Sequence, residues 1–212
     1  KIEPASTTKA ARAIALAVSH PFGIGDAKYR LGVESHQSVD TVPFGAFKRT
    51  LWKGLGGFNE NLLANEDYEF NYRVRKTGGR IILDGEAHSV YYARNTFSEL
   101  ARQYFRYGFW KAQMVKLFPV SLRLRQLVPP VFLLSFLLLI ALTPFSLLAR
   151  IFLTVAMGSY VLLAILSAWQ LTSRAQTRKL MLPLFFTFPV IHFSWGWGFL
   201  LGLFRSTRRS DE

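Results

Sequence analysis

Residues 127–149 and 151–170 contain no acidic or basic side chain, and only Arg150 separates them. An uninterrupted apolar run of about 20 residues is long enough to cross a bilayer as a helix, whereas core helices of water-soluble domains are usually shorter. Two such runs in succession exclude an ordinary water-soluble fold. They divide the chain into a polar front half, 1–126, and a membrane-resident back half, so the chemistry is to be sought in front. A third stretch, 180–204, carries no charge unless His192 is protonated. It reads as a third span. Pro183, Pro189 and the Gly196/Gly198 pair leave a re-entrant or interfacial helix as the alternative. With the front half cytoplasmic, the first span exits and the second returns, which keeps Arg174, Arg178 and Lys179 inside as the positive-inside tendency prefers. A full third span would carry Arg205, Arg208 and Arg209 outside, against that tendency.

The formal net charge is +13. It does not imply nucleic acid. The basic residues mix with acidic ones in front and then gather as Arg102, Arg106, Lys111, Lys116, Arg123 and Arg125 just before the first span. That placement suits anionic headgroups, and no nucleic-acid-binding motif accompanies it. There is no cysteine, which excludes disulfides and thiolate metal sites. His20, His36, His88 and His192 lack the spacing of zinc ligands.

In the front half, 7–19 reads as a helix with an apolar face from Ala10, Ala11, Ile14, Ala17 and Val18, followed by a Pro/Gly loop at 21–26. A strand is expected at 39–44, a helix at 47–53 and a stronger helix at 65–77. Asn65 would cap that helix, with Glu66 and Asp67 in its first turn and Gly78-Gly79 as its stop. Strands follow at 80–84 and 89–93. Mixed elements of this kind imply an α/β layer. Residues 98–118 form a helix in which Leu100, Tyr104, Tyr107, Trp110 and Met114 alternate with basic residues. It either lies at the membrane surface or packs on the α/β domain.

Two sites could carry chemistry. Carboxylates at a helix start sit in the positive field of the helix dipole, which favours their ionised form. An ionised carboxylate beside a polar cleft can take a proton from a hydroxyl nucleophile. Acidic first-turn residues are also ordinary helix starts, so Glu66-Asp67 alone does not decide. Further along, Gln103, Arg106 and Tyr107 share one helix face. Arg106 can pair with a diphosphate through its planar fork, and Tyr107 can stack on a sugar; the bland reading is lipid phosphate and an interfacial anchor. Asp26 and Arg30 either line a groove or close a loop salt bridge. His192 with Ser194, Trp195 and Trp197 is either a functional membrane site or an anchor.

The succession Phe44-Gly45-Ala46, Arg49, Gly56-Gly57-Phe58-Asn59-Glu60, Glu66-Asp67, Arg73 and Gly78-Gly79 resembles the second half of the catalytic domain of family 2 inverting glycosyltransferases, whose fold is the GT-A type. Gln103-Tyr104-Phe105-Arg106-Tyr107 resembles their Gln-x-x-Arg-Trp motif, with Tyr for Trp. Arg12 to Ala17, Pro21 to Gly25, Tyr29-Arg30 and Arg102 to Lys111 narrow the resemblance to bacterial exopolysaccharide enzymes of the succinoglycan type. The resemblance implies that Asp67 is the general base, that Glu66 orients the acceptor or Asp67, and that Gln103, Arg106, Tyr107, Phe44 and Gly45 contact substrate. It implies a nucleotide-sugar donor and a lipid-linked or saccharide acceptor, with the catalytic part on the cytoplasmic face of a bacterial inner membrane. It also implies a divalent metal, Mg or Mn, held by an Asp-x-Asp motif. That motif does not occur in this sequence, so the metal ligands are not expected in this chain. On this reading 1–96 is the C-terminal part of a GT-A domain, 97–126 an amphipathic interfacial helix and linker, 127–204 a membrane domain of about three helices and 205–212 a basic and polar tail. A chain lacking the donor-binding half is expected to be inactive by itself. A rival from another class is a non-enzymatic membrane subunit for polysaccharide assembly or export.

Overall fold

The computed structural model describes residues 2–5, 8–87 and 89–205. Most of these residues are helical. The first helix, α1 (Lys9–Ala17), starts at Thr8, whose hydroxyl accepts from Ala11 N. Short helices α2 (Pro21–Ile24) and α3 (Lys28–Leu31) follow. The expected loop at 21–26 thus begins as a helical turn. Pro21 occupies its first position, where its missing N–H costs nothing. The His20 ring accepts from Phe22 N, and Gly25, at φ +67°, ends it.

The strands are β1 (Ile2–Ala5), β2 (Gln37–Val39), β3 (Ile81–Leu83) and β4 (Ser89–Tyr92). They form two separate pairs, β1 with β4 in parallel and β2 with β3 antiparallel. A continuous sheet of the kind the α/β expectation requires is not present among the described residues. The expected strand at 39–44 is displaced: β2 ends at Val39. Pro43 has no N–H for a ladder, and Phe44 takes a left-handed φ of +54°, so the chain leaves the strand after β2.

Helix α4 (Arg49–Gly54) and helix α5 (Glu66–Lys76) fall where the pattern places them. Val39, Phe70, Val74, Ile81 and Leu83 make the small core between α5 and the β2–β3 pair. The long helix α6 (Phe97–Leu117) is capped by Thr96, whose hydroxyl accepts from Glu99 N. It leads through a 3-10 turn into α7 (Leu124–Leu142), α8 (Leu147–Arg174) and α9 (Met181–Phe204).

All three last helices are long and apolar enough to cross a membrane. α7 and α8 form a hairpin whose Leu134, Leu138, Phe152, Val155 and Leu162 are exposed. Apolar surface on that scale is not sustained in water and suits lipid. α9 differs. Its Leu184, Phe188 and Ile191 are buried with Ala11, Ile14 and Val18 of α1, Leu100 and Tyr104 of α6, and Ala164 and Ala168 of α8. Neither of the two expected placements of α6 describes it fully, because it lies along α9. The helices approach so closely that a Cβ on Gly198 would stand 2.0 Å from the Phe105 carbonyl oxygen, and one on Gly108 would stand 2.1 Å from that of Trp195.

Candidate active site

The acidic helix start and the Gln-x-x-Arg-Tyr helix meet. Asn59 makes a side-chain turn, its Oδ1 accepting from Asn61 N, and the chain then reaches α5 through Leu62 to Asn65. Asn65 does not cap α5 with its side chain as expected. It sits in the left-handed region at φ +66°, which Asn tolerates better than most residues. Its carbonyl takes the first helical bond, from Glu69 N. Its amide is turned outward and donates to the Tyr107 carbonyl at 3.1 Å. In return, Arg106 Nη2 donates to the Leu63 carbonyl. Two bonds of opposite direction therefore hold the segment leading into α5, next to Glu66 and Asp67, against α6.

Glu66 is exposed and Asp67 half-buried. Asp67 Oδ1 accepts from Tyr68 N at 2.6 Å. The electrostatics differ from the sequence expectation. Burial raises the Asp67 carboxyl above its ordinary value. The bond from Tyr68 N works against that rise, and the neighbouring Glu66 charge adds to it. Desolvation thus outweighs the backbone hydrogen bonds that favour the ionised form. On α6, Gln103 Nε2 donates to the Tyr107 hydroxyl at 2.8 Å, and Arg94 Nε donates to Gln103 Oε1 at 3.3 Å. Arg106 is exposed and spends one donor on Leu63.

Phe44 and Gly45 stand on a segment hung from the same helix. The Tyr68 hydroxyl donates to Asp40 at 3.0 Å, and Asn71 Nδ2 donates to Thr41 Oγ1 and to the Val42 carbonyl at 2.8 and 2.9 Å. The Phe44 ring is 94% exposed. The structure thus brings the entry to α5, next to Glu66 and Asp67, against the helix of Gln103, Arg106 and Tyr107, and ties the segment before Phe44 and Gly45 to α5. Two open hollows lie elsewhere. One, of about 590 Å³, is at the α8–α9 turn, lined by Thr172, Ser173, Gln176, Thr177, Arg178 and Lys179. The other, of about 340 Å³, is between α6 and the end of α9. Among the described residues no group of three or more His, Asp or Glu is placed to hold a metal ion.

Other side chains brace the surroundings of the site. Arg73 grips Glu69 with two bonds, at 2.7 and 2.8 Å, and donates to the carbonyls of Leu55 and Gly57. It fixes the turn in which Gly56 and Gly57 take φ of +78° and +74°. Its i,i+4 spacing to Glu69 was the available signal. Asp40 is not isolated: Arg125 and Tyr68 bond to it, and Arg123 stands 3.8 Å away. Asp26 pairs with Arg125 at 2.8 Å, not with Arg30, whose guanidinium lies over the Tyr91 ring. Lys111, 2% exposed, sits over the Tyr68 ring with Nζ 3.3 Å from the Ser121 carbonyl. Burial lowers its ammonium to about 7, and Asp40 partly opposes that shift. In the membrane half, His192 bridges the Tyr160 hydroxyl, at 2.9 Å, and the Phe22 carbonyl, at 2.8 Å.

The family model for glycosyl transferase family 21 matches residues 42–208. That range contains every candidate site residue and all three apolar helices. The resemblance drawn from the motifs pointed to family 2; the model that matches is that of family 21. Succinoglycan biosynthesis protein ExoA of Rhizobium meliloti (strain 1021) is 32% identical over 118 residues, which cover 56% of this chain and 36% of that protein. The matched part of the chain thus spans little more than a third of the length of this relative. No solved structure matches.

Proposed function

Since the chain belongs to glycosyl transferase family 21, we propose that it is the acceptor-side part of a membrane-bound inverting transferase in which Asp67 is the general base. The reaction would move a sugar from a nucleotide-sugar to a lipid-linked or saccharide acceptor in bacterial exopolysaccharide synthesis, a class suggested by the name of the ExoA relative. The observation that carries the reading is the reciprocal pair of bonds, Asn65 to the Tyr107 carbonyl and Arg106 to the Leu63 carbonyl. Nothing in a plain helix start requires that contact with a second motif 42 residues away.

In this reading Asp67 accepts the proton of the acceptor hydroxyl as that oxygen attacks the anomeric carbon. The bond to the diphosphate breaks on the opposite face, which inverts the configuration. A carboxyl raised by burial is a stronger base than an exposed one, provided the pH keeps it ionised. The exposed edge of the Arg106 guanidinium is available to the departing diphosphate. Gln103, held by Arg94 and bonded to Tyr107, fixes the ring against which a sugar can stack. A divalent metal would neutralise the diphosphate charge. Its ligands are expected from the donor-binding part, and no step here is assigned through it. The GT-A architecture and the placement of the catalytic part on the cytoplasmic face of the inner membrane belong to the same proposal.

The test is Asp67→Asn in the full-length protein, with release of nucleoside diphosphate from a panel of nucleotide-sugars measured in membranes. Loss of a general base costs about 10²–10⁴-fold. Turnover within a few-fold of wild type would remove Asp67 from the mechanism.

A further inference from the structure

We infer that α9 does not cross the bilayer but lies in the plane of its surface, beneath the polar domain, as a lipid-facing platform. The chain then has two spans rather than three. Length and composition alone permit a span; the contacts at its two ends do not.

At its start, Leu180 and Leu184 are buried in one core with Ala11 to Val18 of α1. At its end, Gln113 Nε2 of α6 donates to the Gly202 and Arg205 carbonyls at 3.0 and 3.1 Å, and Lys116 Nζ donates to the Arg205 carbonyl at 2.7 Å. Both ends are therefore held by the polar half. α1 and α6 share a single core through Leu100 and Tyr104, so they lie on one side of the membrane. α6 itself is not a span, because it carries Glu99, Arg102, Arg106, Lys111 and Lys116 and charges in the hydrocarbon region are costly.

α9 also packs on the hairpin. Along α8, contacts run from Thr172 beside Met181 to Tyr160 beside His192, and on α7 Phe132 and Phe136 stand beside Phe193, with Pro129 against Gly196.

The surface of α9 is divided accordingly. Leu182, Phe186, Trp197, Leu201, Leu203 and Phe204 are exposed, and at 100° per residue they fall within an arc of about 160°. Leu184, Phe188, Ile191, Gly198 and Gly202 are buried on the opposite side. The exposed stripe is left to lipid and the other face lies under protein. The hollow formed by Phe105, Phe109, Leu201, Phe204 and Arg205 opens beside that stripe and suits an acyl chain. Two spans also put Arg205 on the side that holds Arg174, Arg178 and Lys179, as the positive-inside tendency prefers.

This inference does not rest on the catalytic reading. It is tested in the full-length protein with single-cysteine variants and an impermeant maleimide, on right-side-out and inverted vesicles. Ser35→Cys marks the front half and Phe145→Cys the hairpin tip. Ser210→Cys is expected to react in the same vesicle orientation as Ser35→Cys; reaction in the orientation of Phe145→Cys overturns the inference. Spin labels at Phe186 and Leu201, both exposed, give a second measurement. They are 15 residues apart, about 22 Å along a helix. Equal depths are expected from oxygen and nickel collision rates, and depths differing by about 20 Å overturn the inference.

Discussion

Replacing Gly198 by Ala should weaken the protein through one contact. The added Cβ would stand 2.0 Å from the Phe105 carbonyl oxygen and 2.8 Å from its carbon. An ordinary contact needs more than about 3 Å, so α6 and α9 would have to part by about 1 Å; both obstructing atoms are backbone and cannot rotate away. Forcing one methyl into a filled site costs about 1–3 kcal/mol, and a gap of about 1 Å forfeits up to half the attraction of the contacts around it. Alanine returns up to about 1 kcal/mol through helix propensity. The net loss is about 2 kcal/mol, or about 4–8 °C in Tm for a chain of this size. Gly158 in α8 is the control, since a Cβ there meets nothing within 4 Å; Gly158→Ala should leave Tm unchanged or slightly higher. The assay is thermal unfolding of the purified full-length protein in one detergent. If Gly198→Ala melts within about 1 °C of Gly158→Ala, the close approach of the two helices is wrong.

Other perturbations probe the site. The Glu66 charge helps to raise the Asp67 carboxyl, so Glu66→Gln should move the acidic limb of the kcat/KM profile to lower pH; an unmoved limb separates Asp67 from that titration. Arg73→Lys cannot reproduce the two-pronged grip on Glu69 or reach both loop carbonyls. It should destabilise by about 2–4 kcal/mol, as breaking a buried pair does, and wild-type stability in denaturant would refute the clamp. Lys111, lowered by burial to about 7, makes the folded state bind fewer protons than the unfolded chain between about pH 7 and the ordinary lysine range. Stability should therefore bear the full cost below pH 7 and recover as pH rises through that window. Lys111→Met should flatten the dependence of Tm on pH between 7 and 9, and an unchanged slope would show that Lys111 is not its source.

What was legible in the sequence followed from local rules. The hairpin α7–α8 follows from charge-free length, and α5 follows from acids at its start and glycines at its end. The contact between the entry to α5 and α6, made by the Asn65 and Leu63 bonds, was not set by local rules. Local rules missed what is settled at long range. Asn65 was read as a cap because Asn caps helices, yet its amide is spent on Tyr107. The Asp40–Arg125 pair joins residues 85 apart, beyond the reach of local patterns. The strand at 39–44 was misplaced because its apolar residues outweighed the missing donor of Pro43. Helix α9 satisfies the length rule for a span, a rule that says nothing of its packing on α1 and α6.

The burial of α1 bears on how the polar half can be isolated. A cut at the apparent border near residue 126 would discard the surfaces of α8 and α9 that cover Ala11, Ile14 and Val18. The severed piece would display a greasy scar where it had rested on the rest of the chain, and would clump or need detergent. Polar and lipid-facing parts are thus one cooperative body, to be purified whole.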